Sequence, residues 1–402
     1  MKYERLDGVL SSCNQDAMEQ TGCYEYFAGN SDIPLSARIS GIKFSDCDDS
    51  PVEPAVMFDR SFEDFPKHVQ ACVLPKSGNM LVAWYGETES EPIEFERVNC
   101  KSFKKESVAW LRIHGEVDTI CADEYEKLVG IAYCDGKWVA EVRRINNFQL
   151  REAVVHDSRV KGMFFQDERF YSISKEVIVA YPEERFDQKT IYSGKSISGW
   201  AVHPVEPFLF LSEYGSFKII DLEKECVVAD LPAGSDQNNS CGLPFACCTF
   251  TSDSTDSKAI SFSRDGRKLF VSGISDVSVY GWREILRGKG KMPDPQSVIN
   301  LNNRDINDIP GRIIVTELLP VNREIIIGCS SEGSLWQLNI STGTSQLLFR
   351  PDYGVRINKM RLAANRKVLA INGYHYRLDA GGDCSVENGL LLWKLNKLLQ
   401  RQ

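Results

Sequence analysis

The chain lacks an uninterrupted apolar run of roughly 18 residues, which excludes a helix that spans a bilayer. It has few histidines, five in 402 residues, and they share no metal-ligand spacing. Its 13 cysteines include no Cys-x-x-Cys pair, so the clamps of a tetrahedral zinc site are missing. There is no Gly-x-Ser-x-Gly nucleophile elbow and no phosphate-binding Gly-x-x-x-x-Gly-Lys-Ser/Thr loop. Gly288-Lys289-Gly290-Lys291 is too short for the latter and has no strand–loop–helix context. Nor is there a basic excess: the net charge is -9, which disfavours general attraction to nucleic acid.

What is present is an average globular composition, 43% hydrophobic and 26% charged. Length alone suggests about two or three domains, although large all-β units exceed that size. The acidity is uneven, since residues 1–70 carry 13 acidic and 6 basic side chains. The start holds Leu10-Ser11-Ser12-Cys13, like a lipoprotein box, but Glu4, Arg5 and Asp7 interrupt any signal core. Several cysteines, among them Cys72, Cys121 and Cys329, lie in apolar strand-like runs, where the thiol serves as a small hydrophobe. An intracellular, reducing compartment, cytoplasm or nucleus, is expected.

Short alternating or apolar runs, such as 80–85, 128–133, 208–212, 268–272 and 324–328, are separated by Gly, Asp, Asn and Ser. This is strand–turn–strand patterning. Helical periodicity is confined to weak segments near 14–20 and 394–401. Residues 197–232 divide into four strands at 198–203, 208–213, 216–222 and 226–231, and residues 312–350 repeat the plan. Aligning Gly215 with Gly333 sets Phe217 over Leu335, Asp221 over Asn339 and Leu222 over Ile340. Pro204 and Pro320 both fall between first and second strands. A further copy starts at 258, with Asp265-Gly266 as its first turn, since glycine takes the positive φ that a tight hairpin needs. Counting degenerate copies, seven units of about 48 residues run from 69 to the end.

Four antiparallel strands per repeat predict an all-β fold, a single β-propeller of seven four-stranded blades. The blades are placed at about 69–113, 114–155, 156–195, 196–232, 258–301, 312–350 and 354–398. The last copy ends at its third strand, so the run Ala55 to Phe62, within a closing segment 51–68, is predicted to supply the missing outer strand. Residues 1–50 form an acidic, loosely ordered arm, in which 39–44 could add a strand.

The repeats resemble the WD40-like propeller family. In that family the third strand ends in a Trp-Asp pair after an apolar run. The corresponding ends here are Ile219-Ile220-Asp221, Val279-Tyr280-Gly281-Trp282, Leu335-Trp336-Gln337 and Leu392-Trp393-Lys394. Phe262-Ser263-Arg264-Asp265-Gly266 and Val202-His203-Pro204 look like the family's first strand and turn. The likeness covers roughly 196–395 and thins over 69–195. No copy joins a Gly-His start to a Trp-Asp finish, so the family's His–Asp–Trp network is expected to be absent or partial.

The resemblance implies a non-catalytic protein–protein interaction scaffold, or a subunit of a multi-protein complex. No catalytic, cofactor or metal residues are assigned. His203 is read as structural, the acidic pairs Asp48-Asp49 and Glu183-Glu184 as solvated surface, and Cys247-Cys248 as part of a buried strand. Candidate partner contacts come from two connections. Residues 372–388 interrupt the last blade between its second and third strands and carry Tyr374, Tyr376 and Arg377, side chains favoured as interface anchors. The long connection 232–257 leaves the same face. On the opposite face the loop after Trp282 carries Arg283, Arg287, Lys289 and Lys291, which could steer an acidic partner. The alternative is a propeller enzyme or small-ligand binder at the channel mouth, such as a lactonase-like hydrolase. Its mark would be acidic, His or Arg side chains converging from the first strands. A third reading, RNA or membrane-surface binding through 283–291, is opposed by the net acidity. Membrane contact is expected only through a partner.

Overall fold

The computed structural model describes residues 56–59, 68–85, 92–102, 104–113, 116–182, 188–213, 216–232, 259–273, 275–288, 290–301, 313–330, 333–349, 355–363, 367–378 and 384–399. They form seven four-stranded antiparallel sheets, each a meander in chain order except the last. Blades 1 to 6 span 68–111, 117–156, 162–193, 197–232, 260–300 and 315–349. Blade 7 combines Val355–Ala363, Val368–Leu378 and Cys384–Lys394 with Val56–Asp59.

The ring closes as the missing last strand required. Val56–Asp59 pairs with the third strand of blade 7 in the register Val56↔Leu392, Met57↔Leu391, Phe58↔Leu390 and Asp59↔Gly389. Closure is also visible in the packing, because each blade presents one apolar face to each neighbour. Seven buried clusters fill the seven junctions. One of them joins Val69, Val82 and Trp84 of blade 1 to Val368, Ala370 and Leu392 of blade 7. Strands buried on both faces, such as Met80–Tyr85, are apolar at every position.

The repeats share turn chemistry as well as strand order. Asp221 Oδ1 accepts from the backbone N–H of Glu223 and Lys224 at 3.1 and 2.9 Å. Asn339 Oδ1 accepts from Ser341 and Thr342 at 3.0 and 3.1 Å. Both are side-chain turns that end a third strand. The next residues match too: Leu222 N–H donates to Pro207 and Ile340 N–H to Glu324, both at 2.7 Å. In blade 5 Gly266 has φ 69°, as its turn demands.

Two connections differ from the sequence reading. Residues after Trp282, expected as a loop, begin with a helix, α1 (Trp282–Arg287), which places Trp282 and Ile285 three apart on its buried side. Glu284 in the first turn and Arg287 in the last both complement its dipole. Within the segment expected as an interrupting insertion, 372–388, the described residues 372–378 and 384–388 instead prolong the flanking strands, and pairing continues from Asn372↔Leu390 to Leu378↔Cys384. A second helix, α2 (Leu395–Leu399), falls inside the periodic segment 394–401 and packs Leu395 and Leu398 into the junction of blades 6 and 7. The arm 1–50, the strand proposed at 39–44, residues 233–258 with Cys247-Cys248, and Glu183-Glu184 lie outside the described residues. Among the described residues no helix is long and apolar enough to cross a membrane.

Candidate functional site

The first strand of each blade lines the central channel, and four of them carry the same irregularity. In blades 2, 4, 6 and 7 the register skips one residue near the start of that strand: Asp118, Ser198, Thr316 and Asn358. A bulge bends its strand and re-aims the side chains beside it. Ser198 and Thr316 turn their hydroxyls back to the second strand, bonding the carbonyls of Ser212 at 3.2 Å and Cys329 at 3.3 Å. In blades 2, 6 and 7 the residue that follows the bulge is polar or ionisable, Thr119, Glu317 and Lys359, and these make contacts from blade to blade.

Lys359 Nζ, on the first strand of blade 7, donates to Thr119 Oγ1 of blade 2 at 2.7 Å, reaching past blade 1. Glu317 of blade 6 accepts from the backbone N–H of Met360 and from Arg361 Nη1, the latter at 3.4 Å. Asp118 of blade 2 pairs with Arg159, 2.7 Å from its Nη2. Lys161 then donates to the carbonyl of Ile197 at 2.6 Å, joining blade 3 to blade 4. A belt of polar contacts thus runs around the channel from blade 6 to blade 4.

Enclosure perturbs these groups. Burial, then the neighbouring Arg361, hold Lys359 down at about 8, against the pull of Glu317, Asp118 and Cys121. Burial raises Glu317 above the ordinary carboxylate range, opposed by Arg361, the Met360 N–H and Lys359. Burial likewise lifts Asp118 to about 6 despite its partner Arg159. The thiol of Cys72, a core neighbour of the belt, is pushed up to about 12 by burial and stays protonated.

On the opposite face, blades 4 and 5 meet around His203. Its Nε2 faces the Gly266 carbonyl at 2.9 Å and its Nδ1 accepts the Glu206 N–H at 2.8 Å. The ring packs on Phe262 and Trp282, with centroids 4.9 and 5.2 Å away. Burial lowers its pKa, so the neutral tautomer with hydrogen on Nε2 fits both bonds. His203 is therefore a structural staple, as its turn position suggested. Trp282 Nε1 donates to Glu206 Oε2 at 2.9 Å, and Arg283 pairs with the other Glu206 oxygen. A second buried histidine, His156, lies 2.9 Å from Ser174 Oγ and 2.8 Å from Ser172 Oγ, and burial lowers it to about 4. These two contacts tie blade 2 to blade 3 through serines, with neither Asp nor Trp taking part.

The candidate partner residues fall in two separate places. Arg283, on α1, pairs with Glu206 of blade 4, Arg287 and Lys291 are exposed, and Lys289 lies outside the described residues. Tyr374, Tyr376 and Arg377 lie on the prolonged ribbon of blade 7. Tyr374 and Tyr376 occupy alternate positions, opposite Asn388 and Val386, and Arg377 stands opposite Ser385. Among the described contacts of the channel belt, none involves Arg283, Arg287 or Lys291. Sequence reasoning missed Gln70, Asp118, Arg159, Glu317, Lys359 and Arg361. The available signal was an ionisable side chain inside a first strand, as in Val-Thr-Glu-Leu-Leu-Pro at 315–320.

No family profile matches the chain, and no curated protein matches it. Among solved structures, a chain in the crystal structure of the mitotic checkpoint complex is similar, with a TM-score of 0.57 and 11% sequence identity. The match covers 87% of this chain and 97% of that one. At that identity the likeness is one of fold, and it agrees with the blade count and strand order above. The chain has the fold of a seven-bladed β-propeller.

Proposed function

We propose that this propeller is a non-catalytic interaction scaffold, working as a subunit of a multi-protein complex in a reducing intracellular compartment. The observation that carries the reading is the blade 7 ribbon. Its two strands are 11 residues each, whereas the second strands of the other blades have five to eight. Beyond Asn372, level with Lys359, the pairing continues for roughly 20 Å at the usual rise per residue. Second-to-third-strand connections leave the propeller on one face, so the ribbon stands beside the mouth of the channel. Tyrosine and arginine on such a projection suit a protein partner. The similar fold in a multi-protein complex and the free thiols at Cys72, Cys100 and Cys329 are consistent with this reading.

The test is a photo-crosslinking amino acid at Tyr376, with a control at Arg287 on the opposite face, in cells of the source organism. The expected result is a discrete protein adduct from position 376, lost when residues 374–387 are replaced by a two-residue turn. A monomer with no adduct at either position would refute the scaffold reading.

A second reading, a small-ligand or hydrolase site at the channel mouth, draws on the meeting of Glu317, Lys359, Arg361 and Asp118. Turnover of a lactone or ester panel by the wild type and not by K359M would favour it. Equal rates for both would remove it.

A further inference from the structure

Where blades 1 and 2 meet beside the channel, two buried acceptor oxygens have no hydrogen-bond partner among the described residues: Gln70 Oε1 and Asp118 Oδ2. Both residues are 8% exposed, so each is more than nine-tenths buried. They stand on adjacent innermost strands, Gln70 on His68–Val73 and Asp118 at the bulge of Val117–Ala122. Tyr85, which packs with Val117 in the junction core, is hydrogen-bonded to Gln70, and its hydroxyl lies within the fields of Glu116, Asp118 and Arg159. Arg159 engages only Oδ1 of the carboxylate, through Nε at 2.8 Å and Nη2 at 2.7 Å.

An ionised carboxylate can accept about four hydrogen bonds, and buried polar groups in native proteins are overwhelmingly paired. Both open groups are acceptors, so whatever completes them must donate. Asp118 and Glu116 face two cations, Arg159 and Lys359, but Arg159 bonds only Oδ1 and Lys359 donates to Thr119, so Oδ2 of the carboxylate has no charged donor in contact and a charge-assisted hydrogen bond would complete it. The acceptors come from different strands. A planar group with several fixed N–H donors matches such a pair better than a point-charge ammonium does.

We propose that the channel-side junction of blades 1 and 2 receives the guanidinium of an arginine side chain from a partner polypeptide, with Asp118 Oδ2 and Gln70 Oε1 as its acceptors. The proposal rests on the scaffold reading and names the chemistry its partner would carry. Lys359, reaching Thr119 beside this junction, then forms one wall of the site and discourages a second cation from going deeper.

N-acetyl-arginine amide is the probe, titrated into the full chain by calorimetry and ligand-observed NMR. Its uncharged isostere N-acetyl-citrulline amide is expected to bind at least about tenfold more weakly, a difference of about 1.4 kcal/mol. D118N, checked for an undiminished melting temperature, is expected to lose about tenfold in affinity for the arginine probe. Q70L is expected to weaken it less. Affinity should also fall as pH drops below about 6, where Asp118 takes up its proton. Glu116, Arg159, Lys359 and Tyr85 are the other titratable groups facing it. Equal binding of the arginine and citrulline probes, or unchanged affinity in D118N, would overturn the proposal. The scaffold reading fails separately. If the Tyr376 adduct forms while the arginine probe fails, only the site assignment is lost. If the probe binds but no adduct forms at either position, a ligand site stands without the scaffold.

Discussion

Replacing Lys359 with methionine, which keeps the length of the side chain and removes its charge, should make the protein more stable. Burial beside Arg361 lowers Lys359 from 10.5 to about 8, a difference of about 2.5 units. At 1.36 kcal/mol per unit, the charged form costs the folded state about 3 kcal/mol wherever both states are protonated. Methionine forgoes the bond to Thr119 Oγ1, a loss of about 1 kcal/mol, so the net gain at pH 7 is about 2 kcal/mol. The pH dependence tests the cause. The cost is fully present below pH 8 and disappears as pH rises toward 10.5, where the unfolded lysine also loses its proton. The advantage of K359M over the wild type should therefore shrink steadily between pH 8 and 10, vanish near pH 10 and reverse toward about -1 kcal/mol only above about pH 11. Other groups that ionise in this range, such as tyrosines and thiols, are common to both proteins and largely cancel in the difference. Urea unfolding of both proteins at half-unit pH steps measures this. A gap that stays constant with pH would show that the charge of Lys359 is not what enclosure penalises.

Asp118 has the opposite sign. Its carboxyl is lifted from 3.8 to about 6, so D118N should stabilise by up to about 3 kcal/mol at pH 7.5. That advantage should fade as pH drops from 6 toward 4, read from denaturant midpoints. At Gly266 a Cβ would lie 2.3 Å from the His203 ring at a φ of 69°, so G266A should cost about 3 kcal/mol through backbone strain and the displaced staple. In an H203A background the cost should fall to about 1–2 kcal/mol, and an unchanged cost in that double-mutant cycle would place the strain elsewhere. Prolines at both Val56 and Met57 remove the N–H that faces Leu391 or Leu392, whichever of the two it is. The expected result is a loss of about 3 kcal/mol and aggregation through the uncovered edge, measured by urea midpoint and light scattering.

The ring was legible in the sequence because each blade is built from local instructions. A period-2 strand, an Asp or Asn that closes the third strand, and an Asp-Gly turn are all read within a few residues, and Asp221, Asn339 and Gly266 behave as those rules require. The closing strand was legible for a different reason: a final copy with three strands leaves an edge that an unassigned apolar run can cover. The helix Trp282–Arg287 was missed because six residues are too few to show a helical period, and its Arg and Lys content looked like a solvated turn. The ribbon of blade 7 was read as an insertion because Gly373 and the Gly381-Gly382 pair look like punctuation. The strands carry pairing through Gly373, and the second pair falls between Leu378 and Cys384, the last paired residues.

The channel belt could not be read locally at all. Lys359 and Thr119 are 240 residues apart, and nothing in either strand's own pattern points to the other. Only the closure of seven blades on one axis makes them adjacent. An isolated blade 7 would leave Lys359 in water at its ordinary pKa, so the lowered value belongs to the ring and not to the strand. The stability cost at Lys359 and Asp118 has the same origin. Ionisable groups that weaken the fold where apolar ones would serve are the pattern expected of a site kept for binding. This argument ties the two stability predictions to the arginine probe. If K359M and D118N both stabilise the ring while D118N alone abolishes binding of N-acetyl-arginine amide, Asp118 contributes the contact and Lys359 only shapes the channel wall. If neither substitution stabilises, the belt is an ordinary set of satisfied polar bonds, and the case for a ligand at the junction of blades 1 and 2 loses its energetic support.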